Sequence, residues 1–135
     1  METIRKYILR IHGTFLMLVG IVASINATLG VQYGMGSYSF LESNKVGYIG
    51  LLQAYLLAIL TGIVLWTGSY LDNRKNWNRI GCLFHFFIMI VYALYWNFFT
   101  TLPSGEITRN IGFTFHIIFF TVELWAGSFT KNNKS

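Results

Sequence analysis

Charged residues are scarce in this chain: they make up 11% of its 135 residues, where a soluble domain carries roughly 25%. With hydrophobic residues at 54%, that shortage excludes an ordinary water-soluble globular domain. Acids are rarer still, five against ten Lys and Arg, for a net charge of +5. The surplus does not describe a nucleic-acid surface, because the basic residues are not interleaved along a face; they sit at the ends of apolar runs. The single cysteine, Cys82, lies beside Gly81 and Leu83. It rules out an internal disulfide and reads as a packed thiol. The single proline, Pro103, falls in the turn Thr101-Leu-Pro-Ser-Gly105 and closes a hairpin there, with Ser104 placed to cap the helix that follows. Phosphate-cradling glycine loops, nucleophile elbows and paired metal-binding cysteines are absent, and Gly34-x-Gly36 is too short and isolated to count. No reaction is specified by motif, so a non-enzymatic role is the expectation, and no cofactor is named by the sequence.

What the chain has instead is four apolar runs: about 7–29, 46–71, 79–99 and 107–129. Each is close to the ~20 residues that a helix needs to cross the hydrocarbon layer. The first continues from Ile11 to Leu29, too long for the core of a cleaved signal peptide, and reads as a retained span. Arg5, Lys6 and Arg10 precede span one; Arg74, Lys75 and Arg79 join spans two and three; Lys131 and Lys134 follow span four. The intervening loops hold only Lys45 and Arg109, offset by Glu42 and Glu106. Eight of the ten basic residues thus lie on one side. The positive-inside rule makes that side cytoplasmic and puts both termini there. The expected fold is all-α: one domain over 1–135, an antiparallel four-helix transmembrane bundle in the cytoplasmic membrane, with lipid as its solvent.

Helix-packing signals accompany the runs. Gly50, Ala54, Ala58 and Gly62 repeat every four residues along span two, a small-residue ridge that suits close packing within the chain or a homodimer seam. Gln53 lies beside it, able to hydrogen-bond across to another helix. The connection from Gly30 to Lys45, rich in glycine and aromatics, suits an interfacial loop or a lid.

The polar residues inside the runs carry what functional signal there is. Glu123 is the one acid within a long apolar run. Gly112, His116, Phe120, Glu123 and Gly127 fall on one helical stripe with it. A carboxylate in the membrane is costly unless neutralised, paired or wetted, which makes it a candidate functional site. Counting at 1.5 Å per residue from the inner ends of the runs puts His12, His85 and Glu123 at about 8–10 Å depth, and His116 about 10 Å farther out. That level suggests a buried network in which Glu123 meets His12, His85 or Arg10, or else a pocket for a metal ion or a quinone. Two histidines and a carboxylate are donors for a divalent metal, though each comes from a separate helix. A haem between His85 and His116 is disfavoured by their difference in height.

The layout resembles that of the DoxX-like small four-helix bacterial membrane proteins. The residues that carry it are Arg10-x-x-Gly13 and Gly20 in span one, Gly50-x-x-x-Ala54 with Gly62 and Gly68 in span two, and Val122-Glu123-Leu124-Trp125-Ala126 at the end of the last helix. The resemblance implies an accessory or interaction subunit of a membrane complex, such as a quinone-linked oxidoreductase, more readily than a self-sufficient enzyme. The alternative is a small redox or ligand-binding membrane protein with its pocket at His12, His85 and Glu123.

Overall fold

The computed structural model describes residues 1–102 and 105–128. The expected turn at Pro103, the cap at Ser104, the end of span four at Phe129, and Lys131 and Lys134 lie outside the described residues. Within them the chain is helical, and no strand occurs. The elements are α1 (Glu2–Tyr33), a 3₁₀ helix (Gly36–Leu41), α2 (Lys45–Gly68), α3 (Arg74–Leu94), a single turn α4 (Trp96–Phe99), and α5 (Gly105–Ser128). Four of these, α1, α2, α3 and α5, are long and apolar enough to cross a membrane.

The helices and the apolar runs do not share boundaries. Hydropathy marks where a side chain prefers oil, whereas a helix stops only where its backbone is broken. So α1 begins five residues before the first run, at Glu2, and α3 begins at Arg74 rather than Arg79. Asn73, left-handed at φ 62°, turns the chain into α3; asparagine is among the residues that adopt this conformation most readily. At the other end Tyr95 leaves helical geometry, with φ −114° and ψ 22°, and α3 closes there instead of running on to Phe99.

The chain divides into two compact units. One comprises His12–Val64. Here α1 and α2 run antiparallel, with close approach at two glycines. A Cβ on Gly20 would lie 2.6 Å from Ile59 Cγ1 and 2.8 Å from the Tyr55 carbonyl oxygen. A Cβ on Gly62 would lie 2.6 Å from the carbonyl oxygen of Gly13. Only glycine lets the two backbones meet so closely. The end nearer the connecting loop is tied by Tyr48 Oη against Thr28 Oγ1 at 3.1 Å and by Tyr38 Oη against Tyr55 Oη at 2.7 Å. The loop is seated on this pair: Leu41 is buried, and Gly30 is pressed against the backbone of Tyr38.

The other unit comprises Met1–Ile11 and Leu65–Ser135. Its centre is the antiparallel pair α3 and α5. Arginines fasten the helix ends: Arg5 Nε donates to the Ala126 carbonyl at 2.8 Å, Arg79 Nε to the Gly127 carbonyl at 3.0 Å, and Arg74 Nε to the Ser69 carbonyl at 2.8 Å. These carbonyls belong to last turns, which have no partner within their own helix, and a cation there also suits the helix dipole. Glu2 balances two of the three guanidinium groups, pairing with Arg5 and, at 3.5 Å, with Arg74.

Burial is inverted relative to a protein built for water. The large side chains that are fully buried include Leu9 and Leu65, but also His12, His85, Glu123, Asn78 and Ser69. Outside lie Leu57, Phe87 and Leu94, each at least 60% exposed, with many others. In water such a surface would be an extended aggregation site.

Candidate functional site: a polar seam between α3 and α5

The stripe Gly112, His116, Phe120, Glu123 and Gly127 is the face that α5 turns to α3. Each member meets a residue of α3. Gly112 lies under Tyr92, His116 under His85, Phe120 beside Phe86, Glu123 beside Asn78 and Gly81, and Gly127 beside Arg79. Three heptad-spaced positions of α3, namely 78, 85 and 92, supply most of the polar groups. Antiparallel packing at this spacing keeps one seam facing its partner over several turns.

Toward the C-terminal end of α5, Glu123 is fully buried. Asn78 Nδ2 donates to its Oε2 at 2.6 Å, short for an amide donor. Gly81 leaves the carboxyl its space: a Cβ there would be 2.9 Å from Glu123 Cδ and Oε1. Asn78 is itself fully buried, and its Oδ1 has no hydrogen-bond partner among the described residues. The amide is therefore held by the carboxyl alone. Asn78 went unnoticed in the sequence because it precedes the apolar run and reads as part of the inner loop. The signal that could have found it is its heptad distance from His85.

One heptad farther along, about 10 Å, His85 and His116 meet at mid-helix. Their Nδ1 atoms are 2.7 Å apart and the rings are tilted by 50°. His85 is fully buried, stacked on Phe119 at 5.4 Å, with the Phe84 ring edge-on at 5.3 Å. Tyr92 lies against the other face of the pair, its ring 5.5 Å from that of His116. A hydrogen bond between two Nδ1 atoms requires one ring to carry the proton there and the other to offer its lone pair. At the far end of α5, Arg109 is buried beneath Trp96, its guanidinium 4.2 Å from the ring centroid.

This register corrects the depth count made from the apolar runs. Starting α3 at Arg79 and ending α5 at Phe129 sets His85 level with Glu123 and leaves His116 a heptad away. The contacts observed set α3 against α5 about a heptad from that count, so His85 meets His116, and Asn78 takes the place beside Glu123. The height objection to a haem between the two histidines disappears, but 2.7 Å between their nitrogens leaves no room for an iron and its two axial bonds. Arg10 is not the partner of Glu123 either. Its Nε donates to Ser69 Oγ at 3.2 Å, and its guanidinium lies between Trp66 and Tyr70, at 5.5 Å and 4.5 Å from their centroids.

Of the remaining expected residues, His12 is fully buried and belongs to the other unit. Among the described residues no group of three or more His, Cys, Asp or Glu side chains gathers as metal ligands would. The small-residue ridge of α2 divides. Gly62 is consumed by packing against α1, whereas Gly50 has nothing within 4 Å of where its Cβ would be, and Ala54 is exposed. Gln53, between them, is exposed and makes no hydrogen bond among the described residues. A cavity of about 310 Å³ is lined by Asn26, Leu29 and residues 35–38 at the loop.

Neither a protein-family model, nor a curated protein, nor a solved structure matches this chain.

Proposed function

We propose that this chain is an integral protein of the cytoplasmic membrane, an antiparallel four-helix bundle with both termini in the cytoplasm. In this reading it acts as an accessory or interaction subunit, without a reaction of its own. Four spanning-length helices, an apolar exterior and a polar interior support the membrane part. The distribution of Lys and Arg supports the orientation.

The observation that carries the interaction role is Gln53. It stands about 12 Å from the start of α2, turned outward between Gly50 and Ala54, both exposed. An amide left unpaired in hydrocarbon costs about 2–7 kcal/mol. A neighbouring transmembrane helix removes that cost: it can approach closely over Gly50 and Ala54 and bond the amide. The partner is a further membrane subunit, as the DoxX-like resemblance implies, or a second copy of the chain. Site-specific photo-crosslinking from position 53 in native membranes tests this, with exposed Leu124 on α5 as the control. A discrete protein adduct from position 53 alone is expected, and its mass tells homodimer from heteromer. Lipid adducts alone at both positions would refute the role.

A second reading is favoured by the meeting of His85 and His116. Two ring nitrogens facing each other at the middle of two spanning-length helices form a site able to hold a ligand. In this reading the ligand site of the membrane is the seam itself, centred on His85 and His116.

A further inference from the structure

We propose that Arg10, with Lys6 beside it, holds the phosphate of an anionic phospholipid at the cytoplasmic face of the membrane. The inference rests on the membrane part of the proposed function, with the basic helix ends in the cytoplasm, and adds a ligand to it. Its first support is the accounting of the arginines in this unit's basic ends. Arg5 and Arg74 share the acid Glu2, and Arg5, Arg74 and Arg79 each donate to a carbonyl at a helix end. Arg10 has neither. Among the described residues its one hydrogen bond runs from Nε to Ser69 Oγ, and its two terminal amino groups have no acceptor.

That open edge is held in place. The guanidinium carbon lies 4.5 Å from the Tyr70 ring centroid and 5.5 Å from that of Trp66, and Ser69 is buried. The rings and the bond at Nε fix the plane of the fork, and its end-on edge presents two parallel N–H groups, the arrangement that grips a phosphate by two bonds. Tryptophan and tyrosine are the residues that sit at headgroup level. Lys6 precedes Arg10 by four residues on α1, so the two are neighbours on the helix surface, and it forms no ion pair among the described residues. Asp72, in the turn before α3, is the other acid near these ends and forms no ion pair among the described residues either. Soluble phosphate esters share the headgroup's chemistry. The surroundings favour lipid: Tyr7 and Ile11, next to this edge on α1, and Leu71, next to Tyr70, are exposed apolar side chains that acyl chains cover and a soluble ester leaves bare.

The test uses the full chain, purified and delipidated in detergent, with phosphatidylglycerol or phosphatidylcholine added stepwise and bound lipid counted by native mass spectrometry. One tight phosphatidylglycerol per chain is expected, bound about tenfold or more tightly than phosphatidylcholine. Diffuse attraction to a basic surface is worth about fivefold per cation. The preference should therefore fall by about tenfold or more in Arg10→Gln, by less in Arg10→Lys, which keeps the charge but not the fork, and by no more than about fivefold in Lys75→Gln. Equal losses in Arg10→Gln and Lys75→Gln would overturn the site in favour of a diffuse basic surface. Displacement of the lipid by an equal concentration of glycerol phosphate would overturn lipid in favour of a soluble ester. Equal affinity of the unmodified chain for both lipids would overturn the proposal whether or not a variant folds. Alkaline carbonate extraction of native membranes tells its failure from that of the membrane reading. A chain that stays in the bilayer but has no lipid preference overturns the site alone, and a chain released by carbonate overturns both.

Discussion

Replacing Gly81 by alanine probes the register of α3 on α5 through a single methyl group. The added Cβ would fall 2.9 Å from both Cδ and Oε1 of Glu123, closer than carbon and oxygen tolerate. A carboxyl is ordinarily the free end of a flexible side chain and would swing aside. Here it is fully buried and tied to Asn78, so moving it costs either packing or that hydrogen bond. Overpacking of this kind costs about 1–3 kcal/mol, against which alanine gains about 1 kcal/mol over glycine in a helix. The net expectation is a loss of up to roughly 2 kcal/mol. In the Glu123→Ala background the obstacle is absent, and the same substitution should become neutral or stabilise by up to about 1 kcal/mol. The pair therefore couples by about 1–3 kcal/mol, the size of the overpacking that Glu123→Ala removes. Denaturant titration in mixed micelles, followed by helical circular dichroism, measures all four corners of the cycle. Equal effects of Gly81→Ala in both backgrounds would refute the register. So would the alternative register, in which His85 lies level with Glu123 and Gly81 faces neither.

Two further substitutions test other contacts. Gly62→Ala should destabilise by about 1–3 kcal/mol, because the obstacle is the Gly13 backbone, whereas Gly50→Ala, facing open space, should be neutral or slightly stabilising in the isolated chain; the same micelle unfolding distinguishes them. Arg10→Lys keeps the charge but loses the planar stack between Trp66 and Tyr70, and should lower stability by about 0.5–2 kcal/mol, with the change in Trp66 fluorescence as a second readout.

Much of the architecture was legible before any coordinates, because a spanning helix must keep an apolar exterior for twenty residues, and composition shows that directly. The α3-facing stripe of α5 was legible for the same geometric reason: positions 112, 116, 120, 123 and 127 share a face whatever they touch. The partners across the seam were not legible. Matching two antiparallel helices requires their ends to within a residue or two, and the ends of apolar runs are not the ends of helices. Arg74, Lys75 and Asn76 are polar but helical, so α3 begins before its apolar run does. Asn78 and the arginine caps on the Ser69, Ala126 and Gly127 carbonyls were hidden for a related reason. They belong to the inner ends of the helices, where the sequence resembles a loop. The division of the α2 ridge between Gly62 and Gly50 follows from helix geometry: steps of four drift by about 40° each at 3.6 residues per turn, so Gly50 stands roughly 120° around the helix from Gly62.

The most direct measurement of the central claim, a membrane protein whose polar groups face inward, is cysteine accessibility in intact cells. Single cysteines are placed in a Cys82→Ser background at Ser37, Asn73, Leu57 and Glu123. The account predicts that a membrane-impermeant maleimide labels position 37 from outside and position 73 only after permeabilisation. Positions 57 and 123 should resist it in both conditions, one shielded by lipid and the other by protein. Labelling of 73 without permeabilisation, or ready labelling of the exposed position 57 in membranes, would contradict it.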